Sequence, residues 1–362
     1  MNKKFKIKII GDCPRSLILT LALLRLDLKI YFYDLASVSK LNKSDDIYTF
    51  TNKTIKILKD FHIWQKLEEY VYEFNSISLR QNEIANEFVY RIKNSKNDNY
   101  ETNIGWSIKY STFKKILINE FMSNDNFYLK SYNQKNIDSL KYDFEFKFDL
   151  FDYTKNNFFN YSTIFKNNKQ ALVFNVFLRG NIDKRLYEIY SSEGLILLKP
   201  YSENIYQIYW SDNFIKSKKR LFSSKSLILD NLTTLLPEDL KVDQIIDDIK
   251  YFKVSYPPFP YSISNKGIQI YENMEDSYFT SHINDKIVSL FFEKLFEISK
   301  LNLSNIKKIN IPFTFILNLF ILRLFVSQNV YLSKLRKFIF TFLIKRKYFK
   351  ELISKYIYKF II

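Results

Sequence analysis

The first thirty-four residues constrain the fold more than any other part of the chain. Residues 5–10 alternate apolar side chains with lysine, as a strand does, and Gly11-Asp-Cys-Pro-Arg-Ser16 follows as a tight turn. The run from 17 to 28 is apolar on every face, and Lys29-Ile-Tyr-Phe-Tyr-Asp34 is a second strand-like run that ends in an acid. Strand, turn, buried helix and strand in this order are typical of a βαβ unit, so we expect two parallel strands here.

The turn carries part of the glycine pattern of a dinucleotide-binding unit. Such a turn uses three glycines, for the bend, for close approach to the pyrophosphate and for packing of the helix on the strand. These positions are Gly11, Cys13 and Ser16, so only the first glycine is present. We expect the Cβ of Cys13 to project toward the diphosphate, whereas Ser16 is small enough for the packing and can donate its hydroxyl. Asp34 lies where the acid that accepts from ribose hydroxyls belongs.

The rest of the chain alternates between helical and strand-like stretches. A series of strands after a βαβ opening indicates a second, sheet-based domain inserted into the first. The prolines between 256 and 260 mark a rigid break, because they fix φ and remove donors. The predicted helices span 45–69, 111–121, 224–236 and 285–301, and the predicted strand-rich stretches span 76–104 and 144–210.

The composition limits the classes of function. The formal net charge of +17 admits a nucleic acid or an anionic membrane as partner, but the richness in Lys, Asn, Ile, Phe and Tyr is what an AT-rich genome would produce. The cations gather around no recognisable nucleic-acid-binding element, so we expect no nucleic acid partner. One cysteine, Cys13, excludes an internal disulfide, and the two histidines, His62 and His282, form no zinc-site pattern with it. We expect no metal, and we expect both histidines to be structural or surface residues.

The C-terminal segment, residues 330–362, concentrates positive charge. It contains nine cations against one acid, Glu351, and these are interleaved with Phe, Leu, Ile and Tyr. Such a helix can lie in the plane of the headgroups, so we expect it to contact an anionic membrane surface. A helix packed on its own protein with a solvated basic face would give the same pattern. Residues 311–326 are apolar but shorter than a bilayer span, and the N-terminus resembles no signal peptide, which predicts a cytoplasmic protein, peripheral on the inner membrane face.

Motifs along the chain resemble, in order, the group A FAD-dependent aromatic hydroxylases, particularly the ubiquinone-biosynthesis branch. Residues 6–34 are similar to the family's opening segment, IVGGGPAGLALALALARAGLKVTLIE. No single match is specific, but their common order from end to end is hard to produce by accident. The other matching segments are TFTNKTIKILKDFHIW (49–64), GWSIKYSTFKKIL (105–117), QALVFNVF (170–177), the hairpin-like stretch 200–211, PFP (258–260) and the tail 335–360.

The resemblance implies an α/β fold, with a Rossmann-like FAD-binding domain, an inserted antiparallel-sheet substrate domain and a C-terminal helical tail. It implies FAD as cofactor with Gly11, Cys13, Ser16 and Asp34 at its site, and NAD(P)H as transient reductant. The implied reaction hydroxylates a polyprenylated phenol with O2 and requires no side-chain acid or base, so we name no catalytic residue. The implied domains are a FAD-binding-like domain at 1–75, 105–170 and 262–305, a substrate domain at 76–104 and 171–261, and basic C-terminal helices at 306–362.

Departures from the family pattern fall on the flavin site. Asp46 stands where the family has an arginine that faces the flavin pyrophosphate, and Asp152-Tyr153 stands where the family has Asp-Gly. Glu272-Asn-Met-Glu-Asp276 replaces the family's GDAAH motif, and no glycine follows Gly267. A backbone without these glycines approaches a flavin less closely. The alternative hypothesis is therefore a catalytically inactive hydroxylase-fold scaffold or lipid-binding subunit of a quinone-biosynthesis complex, with FAD lost.

Overall fold

The chain forms three β-sheets within the residues that its computed structural model describes. The predicted break at 256–260 and the stretches at 285–301 and 311–326 lie outside those residues, as does His282. The described residues are 5–26, 28–34, 46–81, 87–93, 101–131, 141–150, 169–180, 184–254, 261–264 and 267–272, with 331, 332, 334, 335, 337, 338 and 341.

The first sheet confirms the predicted βαβ unit. Strands β1 (Lys6–Gly11) and β2 (Lys29–Asp34) are parallel and in register over their whole length, and helix α1 (Pro14–Leu24) connects them. Every residue of α1 is buried, which agrees with a helix that is apolar on all faces. The remaining strands of the sheet are β9 (Phe127–Ser131), β10 (Phe144–Leu150), β17 (Tyr261–Ile263) and β18 (Gly267–Glu272). The order is β17, β18, β10, β1, β2, β9, with only the β17–β18 pair antiparallel.

The prediction of one helix over 45–69 is wrong in its first part. The run Ile-Tyr-Thr-Phe-Thr forms strand β3 (Ile47–Thr51), because its β-branched and aromatic residues fit a pleated sheet. Helix α2 (Asn52–Asp60) begins only after Thr51, whose hydroxyl accepts from the Thr54 N–H, and His62 ends it with a left-handed φ of 56°. The neighbouring elements are α3 (Trp64–Leu67), β4 (Tyr72–Phe74), β8 (Gly105–Lys109) and α4 (Tyr110–Met122), and the three-stranded sheet has the order β3, β8, β4.

The nine-stranded sheet accounts for most of the predicted strand-rich sequence. Its pairs are antiparallel except for that of β5 (Ser76–Gln81) with β12 (Arg185–Ser191). Strand β10, the first strand of the predicted 144–210 stretch, joins the first sheet instead. This arrangement fits the predicted α/β fold with an antiparallel second sheet, and the residue limits of the two domains remain predictions. The strands are β5 (Ser76–Gln81), β6 (Glu87–Lys93), β7 (Glu101–Thr102), β11 (Lys169–Gly180), β12 (Arg185–Ser191), β13 (Gly194–Pro200), β14 (Ile205–Asn213), β15 (Leu240–Ile245) and β16 (Lys250–Val254), with helices α5 (Phe214–Leu221) and α6 (Lys225–Leu235) beside them.

The two faces of the nine-stranded sheet differ in chemistry. One face packs its apolar side chains against α6, with Trp210, Phe174 and Tyr187 among the buried residues. The other face, which we call the inner face, approaches β3, where the Ile47 N–H donates to Gln207 Oε1 (2.8 Å) and Lys199 Nζ donates to the Ile47 carbonyl (3.3 Å). The inner face is also buried, and it carries Gln81, Glu188, Tyr190, Lys199 and Gln207.

The C-terminal segment is described at seven positions between 331 and 341, all of them helical. Within the described part of the chain, none of the helices combines the length and the apolar character that a membrane crossing requires.

Candidate dinucleotide site

The turn between β1 and α1 is closed by hydrogen bonds among its own residues. Cys13 precedes the first residue of α1, and its Sγ accepts from the Ser16 backbone N–H (3.3 Å). Ser16 Oγ donates to the Cys13 carbonyl (2.8 Å) and also lies 3.3 Å from the Cys13 N–H, which donates to it. This reciprocal cap satisfies backbone donors that a helix N-terminus otherwise offers to an anion.

The cap changes what Cys13 and Ser16 contribute. The Cys13 sulfur is buried and accepts from the Ser16 N–H, and the expectation that the Cβ of Cys13 projects toward a diphosphate stays a prediction. The Ser16 hydroxyl was expected to donate to a ligand. It is fully buried and donates to the Cys13 carbonyl instead. Pro14, at the first helical position, has no N–H to offer.

Gly11 allows the helix to begin close to the end of β1. A Cβ at this position would lie 2.9 Å from the Ser16 Cβ and 3.0 Å from the Phe148 Cβ, so any larger residue would force the turn apart. The packing role expected for the small residue Ser16 is therefore shared with Gly11. Asp34 is the register partner of Gly11 on β2, so the fold brings these two predicted residues to the same edge of the sheet.

A lysine from α4 joins the acids at this edge. Lys114 Nζ lies 2.7 Å from Asp12 Oδ1 and 2.8 Å from a carboxylate oxygen of Asp34. The Asp12 side chain is 7% exposed and the Asp34 side chain 27% exposed, so the deeper carboxylate is shielded and the outer one faces solvent. The ammonium balances one of the two negative charges and fixes the orientation of both carboxylates.

Tyr110 completes what we call the acid–lysine cluster: Asp12, Asp34, Tyr110 and Lys114. Its hydroxyl donates to Asp12 Oδ1 at 2.5 Å. Burial, followed by the negative charge of Asp12, raises the pKa of Tyr110 well above its ordinary value. The phenol therefore stays protonated at neutral pH and acts as a hydrogen-bond donor.

Three members of the cluster were missed in the sequence: Asp12, Tyr110 and Lys114. Tyr110 and Lys114 are 98 and 102 positions from Asp12, so no local spacing connects them. One signal was available in the sequence: Tyr110 and Lys114 are four positions apart near the start of a predicted helix, and side chains at that spacing share a helix face. The Asp46 carbonyl accepts from the Tyr110 N–H (2.9 Å), so the backbone of Asp46 lies beside the start of α4 in space.

Several other predicted features bear less on the site. His62 is exposed at the end of α2, as a surface residue would be. Asp152-Tyr153 and the residues from 273 to 276 lie outside the described residues. Among the residues that are described, no three His, Cys, Asp or Glu side chains group as metal ligands would, and the expectation of no metal stays a prediction.

Comparison of the whole chain with known proteins gives a consistent result for the fold. No family profile and no curated sequence matches it. Among solved structures, p-nitrophenol 4-monooxygenase PnpA from Pseudomonas putida DLL-E4 superposes with a TM-score of 0.64 over 99% of both chains at 10% identity. The flavin-dependent brominase Bmp2 has a TM-score of 0.58 over 98% of this chain and 93% of its own, at 11% identity. The chain has the fold of the FAD-dependent monooxygenases and halogenases.

A third structure of this fold is PqsL, a probable FAD-dependent monooxygenase from Pseudomonas aeruginosa. Its TM-score is 0.53 over 74% of this chain and 78% of its own, at 8% identity. At sequence identities this low, the similarity shows a shared fold and nothing more. They leave the ubiquinone-biosynthesis branch, the reductant and the substrate as predictions.

The residues at the edge of the sheet fit one part of FAD better than another. A partly exposed carboxylate at the end of β2 suits a ribose diol, and Lys114 supplies a cation beside it. The turn itself offers fewer backbone donors to a diphosphate than a glycine-rich turn, because Ser16 N–H is capped and Pro14 has none. The site therefore fits the adenosine half of the cofactor, with the weaker contacts at the phosphates.

Proposed function

We propose that this chain is a FAD-dependent monooxygenase-like protein that holds the adenosine half of FAD at the end of β2. The acid–lysine cluster carries this proposal. Asp34 is presented to solvent with its carboxylate held by Lys114, at the position where a ribose-binding acid belongs. Lys114 also neutralises Asp12, a buried carboxylate that would otherwise repel the phosphates of a nucleotide.

The protein's own residues would bind and orient the cofactor. Asp34 would accept from ribose hydroxyls, Gly11 keeps the turn tight, and Lys114 sets the local charge. Bound FAD would supply the electron transfer and oxygen activation that side chains cannot. From the family resemblance, we propose NAD(P)H as reductant and a polyprenylated phenol of ubiquinone biosynthesis as substrate.

The second candidate is an inactive hydroxylase-fold scaffold or lipid-binding subunit of a quinone-biosynthesis complex. The cap formed by Cys13 and Ser16 favours it, because the turn satisfies its own donors. A protein that no longer binds a diphosphate is under no constraint to keep these donors available.

Titration of the purified protein with FAD, followed by quenching of flavin fluorescence, separates the two candidates. We expect saturable binding of one FAD per chain, weakened about tenfold by Asp34→Ala through loss of charge-assisted hydrogen bonds. The control is Asp248→Ala, which removes an exposed carboxylate from the connection between β15 and β16. This variant should bind FAD like the wild type.

Absence of saturable binding by the wild-type protein would refute the first candidate. In that case a Cys13→Gly variant that gains FAD binding would identify the cap as the cause and support the scaffold. Equal affinities of Asp34→Ala and Asp248→Ala would show that the acid–lysine cluster is not the cofactor site.

We further propose that residues 330–362 hold the protein on an anionic membrane surface at the cytoplasmic side. Tyr331, Leu335 and Phe338 are helical, spaced four and three apart, and 82%, 44% and 68% exposed, so they form one apolar stripe. Lys334 and Lys337 lie beside this stripe on the same helix. An apolar stripe flanked by cations matches the boundary between acyl chains and anionic headgroups.

A further inference from the structure

Helix α5 presents a face to solvent on which apolar side chains flank cations. The opposite side of the helix is buried against the nine-stranded sheet, where the Ser217 hydroxyl donates to the Gln170 carbonyl (3.0 Å). Positions three, four and seven residues apart share one face of a helix. The face away from the sheet, which we call the α5 outer face, consists of Ile215, Lys218, Lys219 and Phe222.

Large apolar side chains are exposed at both ends of the α5 outer face. Ile215 and Phe222 are each 77% exposed, and their positions lie about 10 Å apart along the helix axis. Phe214, which is 40% exposed, extends this apolar surface, and Lys218 Nζ lies 5.6 Å from its ring centre. Scattered exposed apolar side chains are common, whereas several on one small surface mark a site of interaction.

The cations at the centre of the α5 outer face are open to an acidic partner. Helix α5 contains no acid, and within the described residues neither Lys218 nor Lys219 forms an ion pair. The ion pairs that α5 does make join Lys216 and Arg220 to Glu193 and Asp212. Those two acids are therefore already neutralised, and the outer lysines keep their charge toward solvent.

We propose that the α5 outer face binds an acidic segment of another protein, in which carboxylates lie between two apolar residues. The carboxylates would pair with the two outer lysines, and the apolar residues would cover Ile215 and Phe222. Binding of this kind requires no FAD, since α5 contributes no residue to the acid–lysine cluster.

The order of charge along the α5 outer face favours a protein over a lipid surface. A helix that lies on a membrane buries a continuous apolar stripe and keeps its cations on the polar side. Here the cations lie between the apolar residues, so docking on a bilayer would carry both ammonium groups toward the acyl chains, where a charge is costly. Carboxylates of a protein can neutralise the ammonium groups at that place.

Fluorescence anisotropy of a labelled peptide, titrated with the full chain, tests the proposal. The probe is an alanine-rich peptide of about 20 residues, long enough to form a helix, with two leucines two turns apart and two glutamates between them. The matched probe has glutamine in place of both glutamates. We expect saturable binding of the glutamate peptide, weakened by high salt, and about tenfold weaker binding of the glutamine peptide.

Two variants of α5 test the face itself. Ile215→Asp should weaken binding of the glutamate peptide about tenfold, because it removes an apolar contact and adds repulsion. Lys219→Glu should weaken it to a similar extent through charge reversal. The matched controls on α4, Met122→Asp at a position 61% exposed and Lys115→Glu at an exposed lysine, should bind like the wild type. Both α5 variants change exposed side chains, so their circular dichroism and FAD titration should match those of the wild type.

Absence of saturable binding of the glutamate peptide, or equal affinities for the two peptides, would overturn the proposal. So would α5 variants that bind like the α4 controls. Loss of binding to phosphatidylglycerol vesicles in Ile215→Asp would assign the face to a membrane instead, and a dimer detected by light scattering in the wild type but not in Ile215→Asp would assign it to a second copy of the chain. A protein that fails to bind FAD but shows the expected peptide affinities would refute the proposed cofactor and leave this surface intact.

Discussion

Lys114 determines the charge balance of the candidate dinucleotide site. Its ammonium contacts Asp12 and Asp34, and two carboxylates at the ends of neighbouring strands would repel each other without it. The Asp12 side chain is nearly buried, so little water can replace the lysine there. Lys114 therefore stabilises the fold whether or not a nucleotide is bound.

Lys114→Met should lower the free energy of unfolding by about 2 kcal/mol, because a buried carboxylate loses a charge-assisted hydrogen bond. Urea unfolding followed by circular dichroism measures this change. The matched control is Lys115→Met on the exposed side of α4, which should stay within about 0.5 kcal/mol of the wild type. Equal stability of the two variants would show that the ion pairs contribute nothing.

At the scale of elements, the turn between β12 and β13 is clamped onto α5 by charge. Arg220 Nη2 lies 2.6 Å from Glu193 Oε2 and 2.9 Å from Asp212 Oδ2, and its guanidinium stacks 4.2 Å from the Trp210 ring centre. Lys216 Nζ lies 2.9 Å from Glu193 Oε1. Because α5 follows β14 directly, this clamp fixes where the helix lies against the sheet.

The clamp predicts a pH dependence. Burial alone would raise the pKa of Glu193, but Lys216 and Arg220 outweigh it and hold this pKa below its ordinary value. The stabilisation is therefore present above about pH 4.5, the unfolded pKa, and is lost as pH falls through the folded pKa. We expect Glu193→Gln to be less stable than the wild type at pH 7, by under about 1 kcal/mol because Glu193 is half-exposed.

Urea unfolding between pH 7 and pH 3 measures this effect. The difference in unfolding free energy between wild type and Glu193→Gln should shrink as pH falls below the unfolded pKa. Glu238→Gln, an exposed acid outside the clamp, should differ little from the wild type at any of these pH values. A difference for Glu193→Gln that stays constant over this range would contradict the prediction.

At the scale of the whole molecule, the excess of positive charge acts through its distribution. The net charge of +17 is spread along the chain, but residues 330–362 hold nine cations against one acid. The described helical positions there expose an apolar stripe next to lysines, so electrostatic attraction and hydrocarbon burial would act at the same surface.

Co-sedimentation with vesicles tests the proposed membrane contact. We expect binding to phosphatidylglycerol vesicles, weakened by high salt, and little binding to phosphatidylcholine vesicles. Leu335→Asp should weaken the binding about tenfold, because it removes a leucine side chain that would enter the acyl boundary and adds repulsion from the anionic headgroups. Ile215→Asp makes the same kind of change at an exposed position of α5 and should have no effect. Equal loss in both variants, or binding that ignores lipid charge, would refute the tail as the contact.

The sequence by itself determined the local elements whose hydrophobic period is regular. The βαβ unit, the helix near 111–121 and the main strands between 171 and 210 follow from side chains that alternate every 2 or every 3.6 residues, a property of neighbours in the chain. Gly11 and Asp34 lie at one edge of the sheet, because parallel strands that flank a helix end at the same side, and their role at a cofactor stays a prediction.

Only the tertiary structure decided how those elements are partnered. Strand β3 replaced the start of a predicted helix because it pairs with β8, some sixty residues further along the chain. Lys114 and Tyr110 reached Asp12 because α4 packs beside α1, and Gln81 met Tyr190 because β5 and β12 pair in parallel. The physical reason is that a buried charge takes the partner that packing brings next to it, and local spacing carries no record of that partner.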